Sequence, residues 1–154
     1  MKIDLKRLNP AFADSRKEAG WLILALVTAV GWNGIHFLLK YLRQLSRLYR
    51  VTGTRRVLLP GAQMVPFGDV IRGGGTFYPV LLIGAAALAL EHYLGHYRGS
   101  KSVYLMRRLP DRWEYHRRCL AVPVLTVLAA AAAFGLQTGL HYLCYLLLTP
   151  KGCL

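Results

Sequence analysis

The chain has 154 residues, 55% of them hydrophobic and 18% charged, and a formal net charge of +13. The apolar residues fall in uncharged runs with no polar face, which argues against a soluble helical domain, whose helices alternate an apolar stripe with a polar one. The cations flank those runs, so anionic lipid is the nearer partner and nucleic acid is not expected. Cys119, Cys144 and Cys153 form neither a CxxC pair nor an even set, which sets aside a disulfide framework.

Residues 1–20, "MKIDLKRLNPAFADSRKEAG", interleave Ile3, Leu5, Leu8, Phe12 and Ala13 with Lys2, Lys6 and Arg7. That pattern predicts an interfacial helix lying on the membrane surface, interrupted at Pro10, with a disordered basic tail as the alternative. The stretch is too charged and too long for a secretory n-region, and no small-residue cleavage site follows Val30. The first apolar run is therefore expected to stay as an anchor.

Trp21–Leu39 is a 19-residue uncharged run, and Cys119–Pro150 is one of 32. A helix needs about 20 apolar residues to cross the hydrocarbon core, so both predict spans. Thr76–Leu90 reaches only 15 residues unless the helix continues through Glu91, His92 and His96 to Tyr97. The prediction is an all-α integral membrane protein forming one transmembrane domain, with spans over 21–43, 76–97 and 119–149.

The segment 44–75 separates the first two spans. "KYLRQLSRLYR" puts Leu42, Leu45, Leu48 and Tyr49 on one face and Arg43, Arg47 and Arg50 on another, which predicts a helix running past the membrane edge with snorkelling arginines. "VTGTRRVLLPGAQMVPFGDVIRGGG" then loses any period, with two prolines and six glycines. It reads as a structured loop or, over 57–75, a short re-entrant piece. Three spans place the N-terminus and residues 98–118 on one side with twelve Lys/Arg, against eight on the other. The excess predicts a cytoplasmic N-terminus and an outer C-terminus in the cell membrane.

Residues 98–118 hold seven Lys/Arg around Leu109-Pro110 and must lie outside the lipid, where each cation at the midplane costs about 2.5–3.5 kcal/mol. Tyr104, Leu105, Met106, Leu109 and Trp113 recur at near-helical spacing among the charges. Pro110 suits a helix start but not an interior, and Asp111 can cap a new turn after it. Two short helices are expected, Lys101–Leu109 and Asp111–Arg118, the second feeding the third span.

Ser100, Lys101, Leu109, Pro110 and Arg112, with the apolar run from Cys119 close behind, resemble a segment of membrane subunits of exporter-type (type-2) ABC transporters. There, small-Lys-x-x-x-x-x-x-x-Leu-Pro-x-Arg lies between the second and third spans. The basic amphipathic N-terminus leading through Trp21 is also similar. The resemblance implies a coupling helix over 98–118 docking a separate ATP-binding subunit through Lys101, Leu105, Met106, Leu109, Pro110, Arg112 and Trp113. Such permeases usually have six spans, so three imply a second permease chain, a homodimer or an accessory subunit. Apolar anchors ringed by Arg107 and Arg108 also make physical sense for docking. A positive anchor on lipid phosphates is the plainer alternative.

Glu91 is an ionisable residue inside a span, and its expected partner is an imidazole or Arg98. Asn33 and Gln137 are polar mid-span residues suited to hydrogen bonding across a helix seam, beside the small residues Gly31, Gly34 and Ala129–Ala133. His92 and His96 stand at i, i+4, and His36 and His141 lie in other spans. These pairs carry the rival expectation of a haem- or metal-binding three-helix anchor. Next to Tyr93 and Tyr97 they read more simply as interfacial belt residues. No phosphate-cradling glycine loop, nucleophile elbow or carboxylate pair is present, so neither a cofactor nor an enzymatic centre is expected.

Overall fold

A computed structural model describes residues 15–52, 55–98, 112–150 and 152–153. Residues 1–14 of the expected interfacial segment lie outside that description, as do Lys101, Leu105, Met106, Leu109 and Pro110 of the docking segment.

The chain forms an all-α membrane protein with one small hairpin. Helix α1 runs Ser15–Arg47, strands β1 and β2 cover Tyr49–Thr52 and Arg55–Leu58, and a short helix α2 covers Phe67–Ile71. A 3-10 turn at Gly74–Thr76 leads into α3, Phe77–Arg98, and α4 runs Arg112–Leu148. Three segments are long and apolar enough to cross a membrane: Lys17–Arg47, Gly74–Gly95 and His116–Leu148. Their apolar side chains point outward, with Trp21 71%, Leu136 78% and Leu147 80% exposed. At about 25 cal/mol per Å², that surface is untenable in water and ordinary in lipid.

The ends of these helices have local causes. Glu18 sits in the first turn of α1, where a carboxylate meets the positive end of the helix dipole. Pro79 is tolerated in the first turn of α3 because those N–H groups have no intrahelical acceptor. Gly73, at φ 89°, makes the turn after α2 without the strain a side chain would bring. Pro123 lies inside α4, and its missing N–H leaves the carbonyl of Cys119 without its helical donor.

The chain divides into two compact units. The first comprises Met1–Val27 with Tyr78–Ala132, the second Thr28–Phe77 with Ala133–Leu154. In the first unit Tyr78, Leu81, Ala85, Cys119 and Ala130 are buried. The second is built on a cluster of Phe37, Tyr41, Leu48, Met64, Val70, Tyr145 and Cys153.

The helical pattern of 40–50 predicts continuation to Arg50, but α1 stops at Arg47 and the chain turns into the hairpin. Leu48 is the reason. It is buried in the cluster, its N–H closes a tight turn onto Leu45 O at 3.1 Å, and its carbonyl accepts from Leu59 N–H at 2.9 Å. Beyond it the strands pair Tyr49 with Leu58 and Thr52 with Arg55. The segment 57–75 is a built loop holding α2. Tyr145 Oη donates to Val65 O at 2.9 Å, Met64 N–H to Cys153 O at 2.6 Å, and Lys40 Nζ to Arg72 O at 2.6 Å.

Candidate functional site

The orphan carbonyl of Cys119 organises a polar cluster in the first unit. His92, on α3 and 1% exposed, places Nδ1 at 3.1 Å from that oxygen. A carbonyl only accepts, so Nδ1 is the donor in this contact. The other nitrogen, Nε2, faces Glu18 Oε2 of α1 at 3.3 Å. A carboxylate also only accepts, so with Nε2 protonated this contact is an ion pair. Cys119 Sγ–H points back to His92 O at 3.9 Å, a weak return contact. One imidazole thus ties together α1, α3 and α4.

From the next residue of α3, Tyr93 Oη hydrogen-bonds His116 Nδ1 at 3.0 Å, joining α3 to the first turns of α4. Trp113 packs edge-on against His116 with ring centroids 6.0 Å apart, yet remains 77% exposed. Both bonded pairs flank residues 99–111, since α3 ends at Arg98 and α4 opens at Arg112. Glu91 is exposed on α3, and its neighbour His92 takes its carboxylate partner from α1 instead. Spacing could not identify Glu18 as that partner, being 74 residues away. The sequence signal was Pro123, whose presence in an apolar helix calls for a donor from elsewhere.

In the second unit the two polar mid-span residues meet. Asn33, 3% exposed, donates from Nδ2 to Gln137 Oε1 at 3.1 Å, and Gln137 Nε2 donates to Val30 O at 2.8 Å. The pair joins α1 to α4, and Gly74 packs so closely on Asn33 Oδ1 that a Cβ has no room there. His141 lies flat on Phe37, ring centroids 4.1 Å apart and planes 6° apart. His36 Nδ1 is buried without a hydrogen-bond partner among the described residues.

The metal-site alternative draws little from this geometry. Both nitrogens of His92 are engaged by protein oxygens. Among the described residues no group of three or more His, Cys, Asp or Glu is placed to hold a metal ion. The side chain of His96 lies outside the description. No family model, curated protein or solved structure matches this chain.

Proposed function

We propose that the protein is the membrane-spanning subunit of an ABC-type transport complex. Residues 100–118 dock a separate ATPase on the cytoplasmic side, where the N-terminus also lies. The observation that carries this reading is Trp113. It stands among Arg112, Glu114, His116 and Arg117, ahead of the apolar run from Cys119, and is 77% exposed. A Trp buries about 150–250 Å², so covering the 77% of this one that is exposed releases roughly 3–5 kcal/mol at about 25 cal/mol per Å². That is the scale of a binding hot spot.

The hydrogen bonds around His92 and His116 supply the other requirement, a firm base for a docking element. A load on the segment passes to α3 and α4 at its two ends and through Glu18 to α1. The subunit has no ATPase of its own, carrying no phosphate-cradling motif. A second permease chain or a second copy completes the pathway, and the flanking cations hold anionic lipid.

The test is purification in mild detergent from membranes of the source cells. An ATPase polypeptide is expected to co-purify with the parent. Leu109→Ala and Trp113→Ala should each strip it by removing anchor area, while Arg107→Lys and Arg108→Lys retain it, since rim charges act mainly on encounter rate. A homogeneous particle without ATPase, or full retention by both alanine variants, refutes the docking reading. In that case a basic lipid anchor, indifferent to Leu109 and Trp113, explains the segment better.

A further inference from the structure

A cleft of about 520 Å³ opens in the second unit, within the range of small-molecule sites. Its walls include Asn33 of α1, Asp69 of α2, Arg72 just beyond it, and Phe134, Thr138 and His141 of α4. Three of these have unused binding capacity. His141 is 7% exposed and spends its face on Phe37, while its ring nitrogens bond no described residue. Neither ring nitrogen is sealed off from the cleft, so this edge is open to a ligand. Asp69 and Arg72 are both exposed on the cleft, and neither side chain pairs with the other or with any other described residue. The nearby Lys40 ammonium makes no ion pair with the Asp69 carboxylate; it bonds the backbone carbonyls of Asp69 and Arg72 at 3.4 and 2.6 Å and leaves a second cation beside Arg72.

We propose that this cleft binds a small zwitterion, a primary ammonium a few bonds from an anionic oxygen group, whose polar end reaches His141. Charge selects the class. A simple anion drawn to Arg72 is repelled by Asp69, and a simple cation drawn to Asp69 is repelled by Arg72. A molecule bearing both charges satisfies both, and the two residues line the same cleft. Arg72 is suited to carboxylate or phosphate oxygens through its planar fork of donors. Thr138, three residues before His141 on the same helix face, adds a hydroxyl beside the ring. Phe134 gives the apolar wall. The chemistry is shared by an ethanolamine-type lipid headgroup and by a free amino acid. It does not rest on the ATPase-docking reading, whose segment belongs to the other unit.

The full-length protein is reconstituted in nanodiscs of phosphatidylglycerol and titrated calorimetrically with phosphoethanolamine and with L-alanine. In parallel, native mass spectrometry counts lipids retained after extraction from mixed phosphatidylethanolamine and phosphatidylglycerol. Binding of phosphoethanolamine with selective retention of phosphatidylethanolamine supports the site and assigns a lipid source. Binding of L-alanine without lipid selection supports the site and assigns a soluble source. In either case Asp69→Asn and Arg72→Gln, which leave the Lys40 bonds intact, should each weaken binding by about tenfold or more, and Thr138→Val by less. Leu109→Ala should leave it unchanged. If neither probe binds and no ethanolamine lipid is selected, or if both charge variants bind like the parent, the proposal is overturned.

Discussion

Replacing His92 with Phe keeps a flat ring in the same buried place and removes both of its polar contacts. Cys119 O then has neither a helical donor, since Pro123 has no N–H, nor the imidazole that sits 3.1 Å away. An unsatisfied buried carbonyl costs about 1–3 kcal/mol in water-soluble proteins. Interhelical hydrogen bonds in membranes average nearer 0.6 kcal/mol, because the dissociated helices also find partners. The expected loss for His92→Phe is therefore about 1–3 kcal/mol, with the lost Glu18 contact included. Pro123→Ala supplies the missing N–H four residues beyond Cys119, closing the α-helical bond from within. In the His92→Phe background it should return about 1 kcal/mol more than it gives the parent. The coupling is measured by a double-mutant cycle of SDS-induced unfolding in mixed micelles. A second readout is alkylation of Cys119, fully buried in the parent and expected to react faster in His92→Phe alone. Equal effects of Pro123→Ala in both backgrounds would mean that the orphan carbonyl is not what His92 serves.

Gly74→Ala is expected to lower the thermal midpoint, since its Cβ would overlap Asn33 Oδ1, at a cost of about 1–3 kcal/mol for overpacking; Gly84→Ala, with open space around it, should be neutral. Gln137→Leu should destabilise by leaving the Asn33 amide without its partner and removing the second bond to Val30 O, and Asn33→Leu in the same chain should recover part of that loss, as read by SDS unfolding. Leu48→Ala should cost about 2–4 kcal/mol in the same assay and loosen the hairpin, because Leu48 is buried where α1 gives way to β1. A phosphatase and a fluorescent-protein reporter fused after Arg108 should report the cytoplasm; phosphatase activity there overturns the orientation and the docking reading together.

The spanning helices were legible because lipid leaves the sequence little choice: a run from Cys119 to Pro150 with no charge has one physical home. The hairpin was not. Arg43, Arg47 and Arg50 keep a helical interval, and only the burial of Leu48 in a cluster with Tyr145 and Cys153, residues far along the chain, overrides it. Asn33 and Gln137 could be singled out as polar groups needing partners in an apolar run, and they are each other's partner. For His92 the spacing pointed to His96 and the neighbouring Glu91, as local patterns do. Its real contacts come from α1 and from a carbonyl exposed by proline. Periodicity records which face of a helix is apolar, not which helix comes to meet it.

The cluster beneath the hairpin also has a consequence for biogenesis. Phe37, Tyr41, Leu48, Met64 and Val70 are synthesised early, but the cluster is completed by Tyr145 and Cys153, and Met64 donates its N–H to Cys153 O. During translation the first span and everything up to Ile71 must therefore wait, with this apolar surface uncovered, until α4 has inserted and the residues after it have been delivered. Closure of the second unit therefore follows the emergence of Tyr145 and Cys153. A ribosome paused before Tyr145 would hold a nascent chain with inserted helices and an open cap, the stage at which protease or chaperone has most access to it.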